Sequence, residues 1–149
     1  MRQFMIDHWA GVDMICRGEV MQPHTQEGFA AFDGDAAIGL VTYRIAGDAC
    51  EVTSLTSLRE GQGVGTTLLN AVAQEAKSRD CSRIWLITTN DNVRALAFYQ
   101  RRGFVLAALY RNAVDASRKL KPAIPLIAEN GIPIRDEIEL ELNLQRSTR

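Results

Sequence analysis

The order of apolar and polar residues in the middle of the chain predicts three consecutive β-strands. Residues 29–32, 37–45 and 49–58 are rich in Phe, Ile, Leu, Val and Tyr, which strands favour. An Asp-Gly pair at residues 33–34 separates the first two segments, and Ala-Gly-Asp at residues 46–48 separates the second from the third. Both connections are short and contain a glycine, as tight hairpin turns require. We therefore expect an antiparallel meander.

After this meander the apolar residues recur at helical spacing instead of alternating. They predict an amphipathic helix over residues 64–79, with an apolar face made of Val64, Leu68, Leu69, Val72 and Ala76. A short apolar segment, residues 83–88 (RIWLIT), follows the helix and predicts another strand. Because a helix connects the two strands in a β-α-β unit, we expect them to be parallel.

A second helix is expected after this strand. Asp91 or Asn92 can cap its N-terminus, because short polar side chains accept hydrogen bonds from the first turn. Its last turn carries Arg101 and Arg102, and Gly103 follows. Cations at the negative end of a helix and a glycine just beyond it are typical of a helix C-terminus.

The remaining segments complete an α/β fold with a mixed sheet. The first ten residues predict a short helix, and residues 12–16 predict a short strand. Residues 104–110 predict a further strand, and residues 138–144 alternate apolar and acidic side chains as a half-buried closing strand does. Residues 112–136 contain three prolines and predict an irregular connection with one helical turn.

Composition narrows the functional classes. The 149 residues correspond to a single domain, residues 1–149. The formal net charge of -1 argues against a nucleic-acid-binding protein. No apolar run approaches the roughly 20 residues of a membrane span, and no secretory signal is visible, so we expect a cytoplasmic protein. The three cysteines and two histidines are scattered, so we expect no metal site.

The segment between the third strand and the first helix is glycine-rich. Residues 60–66 read EGQGVGT. Glycines let an anion approach the backbone, and a helix start offers N–H groups and the positive end of its dipole. The spacing argues against two nucleotide-binding motifs. A P-loop needs a lysine that is absent here, and a dinucleotide fingerprint needs its third glycine one residue later.

Two motifs together identify a family resemblance. Residues 60–65 match R/Q-x-x-G-x-G/A except at the first position, which is Glu60. Further on, N-x-x-A-x-x-x-Y-x-x-x-G-F is matched at every fixed position, by Asn92, Ala95, Tyr99, Gly103 and Phe104. In this order and spacing they resemble the GNAT superfamily of acyl-CoA N-acyltransferases, over about residues 28–110. The resemblance implies a mostly antiparallel sheet with a splayed parallel strand pair, flanked by helices, and a shortened N-terminal part.

The resemblance also implies acetyl-CoA as the co-substrate and a set of residues that bind it. The coenzyme A pyrophosphate would accept hydrogen bonds from the loop backbone of Gln62, Gly63, Val64, Gly65 and Thr66. The acyl thioester would lie along the preceding strand, near Leu55 and Ser57, and Asn92 would contact the pantetheine. Glu60 places a carboxylate near this pyrophosphate, and Arg59 is a candidate for supplying a compensating positive charge.

Two catalytic roles follow from the same resemblance. Glu51 would act as the general base that deprotonates the acceptor amine; the alternative is a sheet-edge carboxylate with no role. Strand alternation predicts that Glu51, Thr53 and Leu55 share one face of the sheet. Tyr99 would act as the general acid that protonates the leaving coenzyme A thiolate; the alternative is an aromatic side chain that only packs between helices.

The function implied is transfer of an acetyl group to a primary amine of a small molecule or peptide, by direct attack in a ternary complex. One alternative is a catalytically inactive acyl-CoA-binding sensor or regulatory subunit, and another is a nucleotide-binding module. A homodimer through the sheet or its closing strand is a fold-level analogy. The connection at residues 112–136 has charged residues for which a solvated surface is the simpler interpretation: Arg118, Lys119, Lys121, Glu129, Asp136 and Glu137.

Overall fold

The computed structural model describes residues 5–8, 14–16, 19–21, 27–59 and 61–144. In these ranges it has three helices: α1 Val64–Ser78, α2 Val93–Arg101 and α3 Ala113–Leu120. Its nine strands are β1 Met5–His8, β2 Met14–Cys16, β3 Glu19–Met21, β4 Glu27–Asp33, β5 Ala36–Ala46, β6 Ala49–Ser57, β7 Arg83–Thr89, β8 Val105–Tyr110 and β9 Glu137–Asn143.

Seven of these strands form one sheet, in the order β1-β4-β5-β6-β7-β9-β8, and β2 and β3 form a separate antiparallel pair. The sheet is mixed, mostly antiparallel with one parallel pair. This confirms the predicted α/β class, and the strand bounds confirm the meander. Strand β9 has a neighbour on each side, so the prediction that the closing strand pairs with a second copy is wrong.

The described residues form two compact units. The first unit contains β1, β4, β5, β6, α1 and the start of β7. The second unit contains β2, β3, the rest of β7, α2, β8, α3 and β9 as far as Leu142.

In the first unit, α1 packs on the meander through its predicted apolar face. Its buried residues are the five that the helical spacing indicated: Val64, Leu68, Leu69, Val72 and Ala76. The approach to β5 is closest at Gly39, where an added Cβ would lie 2.6 Å from Val64 Cγ1 and 2.9 Å from Leu68 Cδ1. Real Cβ atoms do not come this close to other heavy atoms, so only glycine lets the helix approach β5 at this depth.

The N-terminal segment differs from the sequence prediction. A short helix was expected there, but Met5–His8 is strand β1, so this prediction is wrong for those residues. The strand runs antiparallel to β4, with Met5 opposite Phe32. Pairing with a neighbouring strand supplies backbone hydrogen bonds that a short, weakly periodic helix cannot match, so tertiary context overrides local preference. The other residues of the predicted helix lie outside the described ranges.

In the second unit, α2 begins and ends as predicted. Asn92 is its N-cap, and the Asn92 Oδ1 accepts a hydrogen bond from the Ala95 N–H at 3.2 Å. Beyond its last turn, Gly103 has φ +96°, a left-handed conformation that glycine adopts without strain. The guanidinium of Arg102 lies 3.6 Å from the centre of the Phe98 ring and also donates to the Phe98 carbonyl. These contacts fix the C-terminal turn of the helix.

The connection between β8 and β9 is held by side chains that bond to distant backbone. Asn90 Oδ1 accepts from the N–H groups of Arg135 and Asp136 at 3.0 and 2.9 Å, and its amide donates to the Pro133 carbonyl. Asn130 donates to the Asp91 carbonyl at 2.9 Å. The end of the connection is therefore fastened to the turn that precedes α2.

The charged residues of this connection do not all lie in solvent. The Arg118 side chain is only 16% exposed, and it donates to the carbonyls of Pro125 and Ile134. Asp136 and Glu137 are also buried. For these three residues the prediction of a solvated surface is wrong, because Arg118 and Asp136 serve as internal hydrogen-bond partners and Glu137 is buried. It holds for the exposed residues Lys119, Lys121 and Glu129.

Candidate active site

The glycine loop forms a turn that leads directly into α1. Gly61 and Gly63 have φ angles of +76° and +78°, in the left-handed region that favours glycine. Gly63 is the N-cap of α1, and no side chain caps the helix start. The first turn of α1 contains no acidic residue. The N–H groups of Val64, Gly65 and Thr66 therefore stand at the positive end of a fifteen-residue helix.

The space beside this loop fits a phosphate-bearing ligand. An added Cβ at Gly61 or Gly63 would meet no atom of the described residues within 4 Å, so the backbone is open on that side. Gln62 is exposed. Open backbone and a helix start without a capping side chain are the features by which helix N-termini bind anions. The predicted contacts at residues 62–66 thus lie together at one helix end, whereas Glu60 lies outside the described residues.

Ser57 and Arg59 shape the approach to the loop. The Ser57 hydroxyl donates to the Arg59 carbonyl at 3.2 Å and accepts from the Arg59 N–H at 3.4 Å. The Arg59 guanidinium forms an ion pair with Asp33 at the end of β4. Ser57, which the sequence assigned to coenzyme binding, therefore has its side chain engaged in a local turn.

Glu51 is a buried carboxylate paired with an arginine that the sequence analysis did not single out. Its residue is 4% exposed, and Arg44 Nη2 donates to its Oε1 at 2.6 Å. The two residues lie directly opposite each other on β5 and β6. The sequence contains a signal for this pairing. A two-residue turn connects the two strands, and counting back from that turn places Arg44 opposite Glu51. The ion pair stabilises the carboxylate form, which can accept a proton.

A β-bulge at Thr53 changes the faces of β6. Thr42 lies opposite Ser54, but Tyr43 lies opposite Val52, so Thr53 is an extra residue in the strand. Side chains opposite each other share a face, and an extra residue shifts the alternation by one. Glu51 and Leu55 therefore lie on opposite faces of the sheet, and the prediction that they share a face is wrong.

The bulge also gathers hydroxyl groups on the face that carries Glu51. Thr42 Oγ1 is hydrogen-bonded to Thr53 Oγ1 at 2.7 Å and to Ser54 Oγ at 2.6 Å. We call these three residues with Arg44 and Glu51 the polar strip. Bulges are over-represented next to active sites because they redirect side chains. Leu55 and Ser57 lie on the other face, the one on which α1 packs, because Gly39 lies opposite Ser57.

Tyr99 and Asn92 both belong to α2. Tyr99 is 8% exposed and makes edge-on ring contacts with Phe98 and Phe104 at centroid distances of 5.2 and 5.5 Å. Burial raises the pKa of Tyr99 to about 12, so its hydroxyl stays protonated at neutral pH. Asn92 is exposed, and its side-chain oxygen is engaged in capping the helix. Its amide N–H groups are the part of the side chain suited to contact a ligand carbonyl.

Comparison with known proteins decides the family. Residues 5–104, more than half of the chain, match the family model described as the acetyltransferase (GNAT) family. The chain belongs to the GNAT family. It is also similar to the uncharacterized protein YdhI of Bacillus subtilis, with 49% identity over 136 residues that cover 91% of this chain and 85% of the relative. The predicted resemblance is confirmed, and the chain is an acyltransferase.

Solved GNAT structures include similar proteins with the coenzyme bound. A Bacillus subtilis acetyltransferase in complex with CoA has a TM-score of 0.69 and 25% identity, and the match covers 80% of this chain and 78% of that one. A GNAT family acetyltransferase from Elizabethkingia anophelis with acetyl-CoA bound has a TM-score of 0.68 and 25% identity, covering 79% and 76%.

The described part of this GNAT chain contains no group of three or more His, Cys, Asp or Glu residues placed to hold a metal ion. None of its helices has the length and apolarity that crossing a membrane requires. Cys50 and Cys81 are buried free thiols, and burial raises the pKa of Cys50 to about 12. Burial also raises the pKa of Cys81, so both thiols lack the thiolate character of a nucleophile.

Proposed function

We propose that the chain transfers an acetyl group from acetyl-CoA to a primary amine of a small molecule or peptide by direct attack in a ternary complex. The observation that carries the proposal is the open glycine loop at the uncapped N-terminus of α1. The similar structures with CoA and acetyl-CoA support the choice of coenzyme. Direct attack needs no enzyme nucleophile, and the two thiols whose side chains the structure describes, those of Cys50 and Cys81, are buried.

The coenzyme would be held along β6 and the loop. The pyrophosphate would accept hydrogen bonds from backbone N–H groups of Gln62, Gly63, Val64, Gly65 and Thr66. The thioester would lie along β6, where backbone groups near Leu55 would hold the pantetheine arm and polarise the carbonyl. One backbone donor aimed at a developing oxyanion contributes roughly 3 kcal/mol to such reactions. Ser57 would shape the turn into the loop, and Asn92 would contact the pantetheine through its amide.

Glu51 would serve as the general base for the acceptor amine. An ammonium group has no lone pair, so the acceptor must lose a proton before it can attack the acetyl carbonyl. The carboxylate of Glu51 accepts a hydrogen bond from Arg44, and the hydroxyl groups of the polar strip lie on the same face. They provide a polar surface along which a proton could pass directly or through water.

Tyr99 would serve as the general acid. When the amine nitrogen bonds to the acetyl carbon, the C–S bond breaks and the thiolate needs a proton. The raised pKa of Tyr99 keeps that proton on the hydroxyl until the thiolate leaves. Among the described residues its hydroxyl has no hydrogen-bond partner, so the donor is available to a ligand.

The test begins with calorimetric titration of acetyl-CoA into the full chain, with ATP and NAD as controls. An amine panel monitored by thiol release then seeks the acceptor. We expect Tyr99→Phe and Glu51→Gln each to lower turnover about a hundredfold with little change in acetyl-CoA affinity. Tyr43→Phe is the matched control, since the buried Tyr43 hydroxyl has no hydrogen-bond partner among the described residues.

The outcomes separate the candidate functions. Saturable acetyl-CoA binding without turnover on any amine would favour the inactive sensor. Binding of ATP or NAD instead of acetyl-CoA would favour the nucleotide-binding module and sink the transferase. If Tyr99→Phe retains full turnover, the assignment of the general acid fails while the transferase stands.

A homodimer is also proposed, and the sheet order changes where it would form. Strand β8 is at the edge of the sheet, and its Val105, Leu106 and Leu109 are more than half exposed. A second copy of this strand would pair with it and cover these side chains. Light scattering that gives a monomer mass at high protein concentration would rule this out.

A further inference from the structure

Arg59 is the one cationic residue near the glycine loop in sequence. Between Arg44 and Lys77 the chain contains no other Lys, Arg or His. Phosphate-binding loops usually combine backbone N–H groups with a positively charged side chain, because two phosphates carry more charge than dipoles alone balance. The loop itself begins with Glu60, an acidic residue. Any positive side chain for a phosphate at this helix end must therefore come from Arg59 or from a distant part of the chain.

The structure holds Arg59 in a defined position two residues before Gly61. Both backbone polar groups of Arg59 are bonded to the Ser57 hydroxyl, at 3.4 Å for the N–H and 3.2 Å for the carbonyl. Its side chain is 29% exposed and is tethered to Asp33 through Nη1. The backbone and one end of the side chain are thus fixed before any ligand binds, which lowers the entropy lost on binding.

The tether leaves most of the guanidinium donors available. A guanidinium has five N–H donors in a planar fork, and Asp33 is bonded through Nη1. No other residue in the described ranges accepts a hydrogen bond from this group. A single arginine can therefore bond a carboxylate on one edge and a phosphate on another, which an ammonium cannot do with the same geometry.

We propose that Arg59 is a coenzyme-binding residue that bridges the Asp33 carboxylate and a phosphate of coenzyme A at the glycine loop. This inference rests on the proposed function and deepens it, because it names the side chain that supplies positive charge where Glu60 does not. Asp33 acts as a positioning residue that orients the guanidinium. A purely structural role, in which the ion pair only ties the loop entrance to β4, is the competing explanation.

The experiment measures binding by titration calorimetry with three ligands: acetyl-CoA, 3′-dephospho-CoA and S-acetylpantetheine, which has no phosphate. The full chain is compared with Arg59→Gln, Arg59→Lys and the control Lys77→Gln, an exposed residue at the far end of α1. We expect Arg59→Gln to weaken acetyl-CoA binding about tenfold and to leave S-acetylpantetheine binding unchanged. Lys77→Gln, with the same change in net charge, should match the wild type for every ligand.

The Arg59→Lys variant is a control for loss of folding. Lysine can still pair with Asp33 but has no second donor edge, so we expect Arg59→Lys to fall between the wild type and Arg59→Gln. If the Arg59→Gln defect persists with 3′-dephospho-CoA, the bound phosphate is in the pyrophosphate. If the defect vanishes with that ligand, the bound phosphate is the 3′-phosphate.

Three results would overturn the inference. If Arg59→Gln binds acetyl-CoA like the wild type, the inference is refuted while the proposed function stands. An equal loss with S-acetylpantetheine would show that Arg59 supports the fold and not a phosphate contact. Failure of the wild type to bind acetyl-CoA at millimolar concentration would refute the proposed function itself, and the inference with it.

Discussion

The two units of the molecule are stabilised in different ways. Fifteen of the twenty buried apolar residues in the described ranges belong to the first unit, where α1 packs on the meander. The second unit has five of them, together with seven of the eight large apolar residues that are exposed. It is held instead by polar side chains that bond to distant backbone, such as Asn90, Asn130 and Arg118.

The difference lies in how each unit holds its backbone in place. An apolar core with close helix–strand contact gives the glycine loop and α1 a rigid base, as a preorganised anion site requires. The second unit has fewer buried apolar residues and relies more on hydrogen bonds from polar side chains. Substitutions in the first unit should therefore act through packing, and those in the second unit through hydrogen bonds.

The largest effect is expected for Gly39→Val in the first unit. A side chain at this position would collide with Val64, whose β-branched side chain is stiff in a helix, and with Leu68. We expect a loss of about 3 kcal/mol in the free energy of unfolding, measured by urea denaturation. The control is Ala37→Val, an exposed position on the same strand, which should change stability little. Equal stabilities for the two variants would contradict the packing account.

In the second unit, the largest effect is expected for Arg118→Gln. The arginine is mostly buried and donates to the carbonyls of Pro125 and Ile134, and to that of Ile124 at 3.4 Å. Losing these bonds leaves acceptors unsatisfied, so we expect a loss of about 2 kcal/mol in unfolding free energy. Lys119→Gln removes the same charge from an exposed neighbour and should be close to neutral. If both variants unfold alike, the connection is not held by Arg118.

The same contrast explains which elements could be predicted from the sequence. In the meander and in α1, burial follows a local period, so the alternation and the helical spacing were enough to place them within one or two residues. The cap at Asn92 and the stop at Gly103 were equally local signals. The bonds of Asn90 and Arg118 join residues far apart in sequence, and no local pattern encodes such partners. The prediction of an N-terminal helix was wrong for a related reason, because the pairing of β1 with β4 is not local.

In the candidate site, the limit of prediction was the register of the β5–β6 hairpin. Glu51 was singled out by the family resemblance, and its partner Arg44 follows from the turn length. The bulge at Thr53 shifts the alternation by one, and the only sign of it in the sequence is the pair of consecutive polar residues, Thr53 and Ser54, between two apolar residues. Two polar residues in a row do not by themselves distinguish a bulge from a regular strand, so the sequence did not predict it. The bulge moved Leu55 to the opposite face from Glu51. Backbone irregularities are thus where a periodic interpretation of a functional strand fails.

The smallest effect, and the one that most sharpens the comparison, is expected for Asp136→Asn. Hydrogen bonds from the Arg135 side chain and the Asn112 N–H hold the pKa of the Asp136 carboxyl below its usual range. The stability gained from ionised Asp136 is therefore complete above the ordinary pKa, near 4, and is lost as the pH falls through the lower folded-state value. At neutral pH we expect the variant to melt about 2 °C lower than the wild type.

The pH dependence distinguishes this electrostatic role from simple packing. The difference in melting temperature between wild type and Asp136→Asn should be constant from pH 7 to about pH 5 and should narrow as the pH falls through the lowered pKa of Asp136. Asn keeps an oxygen for the Asn112 N–H, so the difference reports mainly the charge and its bonds with Arg135. A difference that stays the same in acid would mean that the carboxylate charge contributes nothing. In that case the stability of the end of the connection would depend on packing, as the stability of the first unit does. The contrast between the two units would then disappear at this position.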